Sequence, residues 1–273
     1  MRLLLGQLAP ARGDLDRNLA RLETAVRARR SDLAIFPELF LSGYTLGDRF
    51  HAIAATVAER GTETLRRLAR ETETAIVVGA PLLVDDRRGE VANAALVVLP
   101  TGAVTNQSKR YLPNFGPFEE GLAFTPTDTS RPVEILGHRV GLEICYDVFF
   151  PEVSRDLALG GAELLVNISA SPVTSRRLFE RLLPARAIEN ACPVVYVNRV
   201  GVEDGFVFGG GTGAWDSRGE PLPLETVALD GAASEEGLFA VEIDPRAAAR
   251  WRPFRPILRD AATRPAGRPS PGG

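Results

Sequence analysis

Residues 139–152 read RVGLEICYDVFFPE, an apolar run that gives way to a turn and a helix start. RVGLEI is an apolar strand over 139–144. The chain then turns through YDVFFP into a helix entered at Pro151, a residue suited to the first helical turn, and stopped near Gly160. Downstream the alternation continues, with a strand over 164–168, a helix around 177–190 and a strand over 194–198. Upstream it has already begun. A strand over 3–8 leads to a helix over 14–30, in which Leu15, Leu19, Leu22 and Val26 recur at helical spacing, and then to a buried strand over 33–36. A second helix is expected over 59–74. Strands over 75–84 and 92–99, joined across residues 85–89, form a hairpin that makes the sheet mixed. Strands alternating with helices place the chain in the α/β class.

Composition sets the remaining bounds. The 273 residues, 45% of them apolar, fit one domain over 1–262, followed by a mobile tail over 263–273, TRPAGRPSPGG. A net charge of −3 gives no basic footprint for nucleic acid, and no stretch has the length of a membrane span, so neither partner is expected. The opening MRLLLGQLAP is interrupted too early for a secretory signal and reads as the first strand. Cys145 and Cys192 are too few for a disulfide framework and lack the paired spacing of a zinc site. Free thiols, a cytoplasmic location, no cofactor and no metal are the expectations.

Three residues stand out chemically. Of 32 basic residues only Lys109 is lysine, and an ammonium on a flexible stem does what a planar guanidinium cannot. Cys145 sits at the strand-to-helix turn, where a nearby helix N-terminus or cation lowers a thiol's pKa and exposes the thiolate. Cys192, inside ENACPVVYV, reads as core. Neither His51 nor His138 stands where a base would serve a nucleophile, so a Cys-His or Ser-His-Asp site is disfavoured and carboxylates are the candidate bases. Glu38 suits that role, because in FPELFLSGY it follows the strand LAIF among Phe36, Pro37, Leu39 and Phe40.

FPELFLSGY around Glu38, SKRYLPNFGPFEE around Lys109 and GLEICYDVFFPE around Cys145 together resemble, in order and spacing, the nitrilase superfamily of carbon–nitrogen hydrolases. The resemblance extends through LALGGAELLVNISASP and ARAIENACPVVYVNRVG and covers roughly residues 1–245. It implies a four-layer α-β-β-α sandwich with the catalytic residues at strand ends. It further implies that Glu38 is the general base, that Cys145 attacks an amide or nitrile carbon to form a thioester, and that Lys109 stabilises the oxyanion. The family's second glutamate aligns with Glu120, with Glu119 adjacent. The Tyr146 N–H is a natural second oxyanion donor.

The substrate implied is a small linear amide, cleaved to ammonia and a carboxylic acid. KRYLPNFGPFEE, ICYD and NISASP look most like the glutaminase domains attached to NAD synthetases. Those domains usually carry an aromatic and a lysine after NISASP, where this chain has Val173 and Arg176, so a free-standing amidase is the expectation. Nitrilase, N-carbamoyl amidase and ammonia-producing subunit stay open as alternatives, as does a non-catalytic interaction module. Tyr44, Phe115, Tyr146, Asn167, Ser169 and Ser171 are the candidates for binding substrate, and the glycines at 209–211 are expected to form a tight loop near the site. A homo-oligomer, dimer or larger, is expected by resemblance.

Overall fold

In a computed structural model, residues 1–229 and 231–263 are described. Fourteen strands are present among them. In the first half they are β1 (Arg2–Gln7), β2 (Leu33–Ile35), β3 (Ala75–Asp85), β4 (Glu90–Val98), β5 (Val104–Ser108), β6 (Val133–Ile135) and β7 (His138–Ile144). In the second half they are β8 (Leu164–Ser169), β9 (Val194–Asn198), β10 (Val200–Glu203), β11 (Phe206–Gly209), β12 (Gly213–Trp215), β13 (Glu225–Val227) and β14 (Gly237–Glu242). The helices are α1 (Leu15–Ala28), α2 (Phe50–Thr56), α3 (Thr62–Thr72), α4 (Glu120–Ala123), α5 (Pro151–Leu159), α6 (Arg176–Asn190), α7 (Ala247–Trp251) and α8 (Ile257–Thr263).

The strands form a seven-stranded sheet ordered β13-β14-β1-β2-β3-β4-β5, a five-stranded sheet ordered β12-β9-β8-β7-β6, and the small ribbon β10-β11. Each large sheet has a parallel centre, β1-β2-β3 in one and β7-β8-β9 in the other, flanked by antiparallel strands. The two sheets pack face to face. Leu3, Leu5, Ile35, Val77 and Val97 of one meet Val140, Leu142, Ile144, Val166 and Val197 of the other in a buried layer. Because strand side chains alternate, the outward residues of each sheet carry a second apolar face. Leu4, Ile76 and Val78 pack under α1 and α3, while Leu165, Val194 and Tyr196 pack under α5 and α6. The result is the expected four-layer α-β-β-α sandwich.

The helix expected over 59–74 begins earlier, at Phe50, and ends at Thr72, where Glu73 adopts a left-handed conformation (φ 53°). A π-turn over Val57–Gly61 joins its two parts. The extra residue in that turn shifts the apolar stripe, so 3.6-residue periodicity could not be followed back through it. Strand β4 starts two residues before its expected position, since the hairpin turn is only a short 3₁₀ segment over Asp86–Arg88. Strands β10 to β14 escaped the sequence reading, β10 to β13 because each is only three or four residues long. The tail expected over 263–273 lies outside the described residues apart from Thr263, which ends α8. No described helix is long and apolar enough to cross a membrane.

Candidate active site

The carboxyl ends of parallel strands are where open α/β sheets place their chemistry, and three strand ends converge here. Glu38 lies three residues past β2, in a loop pinned on β3: the Gly79 N–H donates to Pro37 O at 3.0 Å, and the Leu41 N–H donates to Gly79 O at 3.1 Å. Gly79 is required for this approach, since a Cβ there would fall 2.3 Å from Leu39 N and 2.5 Å from Glu38 Cα. Lys109 directly follows β5 and extends its pairing, donating its N–H to Asn93 O on β4 at 2.8 Å.

Both side chains are fully buried, and they meet. Lys109 Nζ donates to Glu38 Oε1 at 2.6 Å and to Glu120 Oε1 at 2.8 Å. Asn93 Nδ2 also donates to Glu38 Oε1, at 2.7 Å, and the Ala170 N–H, just past β8, donates to Glu38 Oε2 at 2.7 Å. Of the two adjacent glutamates, Glu120 is the one that meets Lys109, and Glu119 is exposed. Burial raises the Glu120 carboxyl above its ordinary range and the Glu38 charge adds to this, against the opposing pull of Lys109. For Lys109, burial alone would lower the pKa, but the charges of Glu120 and Glu38 outweigh it and the ammonium is held firmly protonated.

Cys145 directly follows β7 and turns the chain, at φ 48°, into a 3₁₀ segment over Cys145–Phe149. A left-handed conformation in a non-glycine residue is a strained position of the kind that collects at functional sites. The expectation of a lowered thiol pKa is not met. Burial pushes the Cys145 thiol well up, Glu38 and Glu120 push it further, and Lys109 only partly offsets them. One ammonium does not offset burial together with two carboxylates, so the net pull on the Cys145 thiol is upward.

The proposed binding residues divide into two groups. Tyr44 is half-buried and donates its hydroxyl to Glu120 Oε1 at 2.6 Å. Phe115, 52% exposed, packs at 5.4 Å from both Tyr146 and Phe118, and Phe118 in turn packs on Phe206. These rings form an aromatic wall from Tyr44 to the Cys145 turn. Asn167, Ser169 and Ser171 are buried instead. Asn167 Nδ2 donates to Cys145 O at 3.3 Å and its Oδ1 accepts from Ser169 Oγ at 2.8 Å, so this pair holds the Cys145 backbone. Ser171 is fixed through Asn198, which accepts its N–H and donates to Gly210 O at 2.9 Å; the glycine loop at 209–211 thus adjoins the site.

Sequence reasoning missed Asn93 and Glu203. Asn93 lies within a strand, where nothing local distinguishes it. Glu203 Oε1 accepts the Tyr44 and Thr45 N–H groups, both at 2.7 Å, and its Oε2 accepts from buried Arg199 Nη1 at 2.7 Å, anchoring the Tyr44 loop to the far side of the site. A cleft of about 500 Å³ lined by Tyr44, Asp48, Phe50, His51, Glu120 and Phe206 opens beside this cluster; Cys145 does not line it.

The Carbon-nitrogen hydrolase family model matches residues 3–253. The chain belongs to the carbon-nitrogen hydrolase family. This carbon-nitrogen hydrolase is 36% identical to an (R)-stereoselective amidase from a Pseudomonas species, over 81% of this chain and 80% of that protein. It is 32% identical to a glutamine-dependent NAD(+) synthetase of Aquifex aeolicus over 92% of this chain, but it spans only 44% of the synthetase. An amidase from Nesterenkonia shares its fold with a TM-score of 0.77 at 29% identity, covering 93% of this chain and 96% of that one. The hydrolase is of the amidase type.

Proposed function

We propose that the chain hydrolyses the carbon–nitrogen bond of a small linear amide through a cysteine thioester, releasing ammonia and a carboxylic acid. The observation that carries this reading is the Lys109 ammonium, buried between Glu38 and Glu120, with all three charges acting on the Cys145 thiol. Cys145 Sγ attacks the amide carbon while its proton passes to Glu38. The oxyanion that develops is met by Lys109 Nζ and the Tyr146 N–H, charges and dipoles that are in place before the reaction begins. The carbon–nitrogen bond breaks, and the nitrogen takes the proton from Glu38 and leaves as ammonia. Water then gives a proton to Glu38 and attacks the thioester carbon. The carbon–sulfur bond breaks, Glu38 returns its proton to the departing Cys145 sulfur, the acid departs and the thiol is restored. Glu120 holds the ammonium from its other side throughout.

Similarity to an amidase over most of both chains favours an amide, and the aromatic wall favours an uncharged acyl group. A panel of amides, nitriles and N-carbamoyl compounds assayed for released ammonia tests this, with intact-mass measurement of a substrate-sized adduct that Cys145→Ala abolishes. No turnover and no adduct on any amide would sink the reading and favour an interaction module. A glutaminase-type role, supplying ammonia to a partner, is supported by the likeness to the synthetase; preferential release from L-glutamine, or activity only with a partner, would establish it. A homo-oligomer in the cytoplasm is part of the same proposal, and light scattering measures the assembly.

A further inference from the structure

Oxyanion stabilisation needs Lys109 and Cys145 at a fixed separation, yet they extend from different sheets, Lys109 from β5 and Cys145 from β7. Between the two lies Asp147, only 2% exposed. Its Oδ1 accepts the Tyr111 N–H at 2.9 Å and the Arg110 N–H at 3.2 Å, and its Oδ2 accepts the Ile144 N–H at 3.1 Å. One carboxylate thus grips the backbone just after Lys109 and just before Cys145. We propose that Asp147 is a positioning residue that fixes the Lys109 ammonium relative to the acyl carbon on Cys145, a role resting on the thioester reading above.

The chemistry of the group suits the task. Backbone N–H bonds to an ionised carboxylate are roughly twice as strong as neutral ones, and two oxygens accept from two directions at once. Burial pushes the Asp147 carboxyl up to about 6, but the Lys109 charge and the N–H donors limit the rise, so the group is ionised at neutral pH. The same segment is tied at its rim. The Tyr111 ring stacks on Phe150 with centroids 3.6 Å apart, and Arg110 Nη1 donates to Asp156 Oδ2 on α5 at 2.7 Å. Those contacts are partly exposed; Asp147 is the buried link. An asparagine would keep one acceptor but turn an NH₂ group toward the N–H of Tyr111 or Ile144, breaking the link on one side.

Two reactions of the same thiol separate positioning from general structural support. Iodoacetamide alkylates Cys145 by displacing iodide and builds no oxyanion, whereas acylation by an amide does. In Asp147→Asn, alkylation should stay within about threefold of wild type while single-turnover acylation falls by about 10–10²-fold, the scale of an ångström-level misplacement. Unchanged acylation, or an equal fall in both reactions, overturns the proposal. Hydrogen exchange covers the case in which the variant does not fold: in the wild-type chain the Arg110, Tyr111 and Ile144 amides should exchange slowly as a set, and fast exchange at Arg110 and Tyr111 overturns it. A wild type that alkylates but accepts no amide sinks the thioester reading instead, and exchange then decides the link separately.

Discussion

Lys109 Nζ stands 2.6 Å from Glu38 Oε1 with both side chains fully buried, so the proposed base and the proposed oxyanion donor are the two halves of one ion pair. Breaking a buried pair costs about 3–5 kcal/mol because the surviving charge is stranded. Arginine preserves the charge but is too large for a site already filled. Lys109→Arg should fold with a stability loss of about 1–3 kcal/mol from overpacking and acylate about 10²–10³-fold more slowly. Stopped-flow acylation at wild-type rates would rule out the oxyanion role.

Tyr44 tunes the second carboxylate. Its hydroxyl donates to Glu120 at 2.6 Å and helps to hold that carboxyl down against burial. In Tyr44→Phe the Glu120 carboxyl rises further, so the acidic limb of the kcat/KM profile should move to higher pH, with a loss of about 1–2 kcal/mol in stability. A limb that stays in place would show that the hydroxyl does not act through Glu120.

Glu143, one strand residue short of Ile144, is buried toward α5, where Ser154 donates to its Oε1. Burial pushes its carboxyl up to about 7, with Asp147 adding to the rise and Ser154 and Arg186 opposing it. The folded chain thus keeps a proton that an unfolded glutamate releases near pH 4, so stability from this group is full at about pH 4 and is lost as pH rises through about 7. Glu143→Gln should flatten the decline of Tm between about pH 5 and about pH 8 by a few degrees. Parallel melting curves for the two proteins across that range would count against it.

Gly79 sets the height of the Glu38 loop. A Cβ there would sit 2.4 Å from Pro37 O, against backbone that has no soft direction in which to yield. Gly79→Ala should cost about 2–4 kcal/mol and reduce turnover by about 10²-fold, since Glu38 must lift from its partners. Wild-type turnover, measured by ammonia release, would mean that the loop has freedom the geometry denies it.

The elements that could be read in the sequence are those whose information is local. The α1 stripe of Leu15, Leu19 and Leu22, the Pro151 opening of α5 and the long strands β3 and β8 all appear where periodicity and turn residues place them. The π-turn before α3 and the three-residue strands β12 and β13 were not legible, because one inserted residue breaks a period and three residues do not establish one.

The α/β alternation, the single lysine, and a glutamate and a cysteine each following an apolar strand are all written in the order of residues along the chain. These depend on residue type and near neighbours. Only the tertiary structure decided that Glu120 rather than Glu119 faces Lys109, that Asn93 joins Glu38, and that the Cys145 thiol is raised rather than lowered. Those outcomes depend on burial and on charges from strands far apart in the chain, and a thiol's pKa follows the balance of fields around it rather than the residues beside it in sequence.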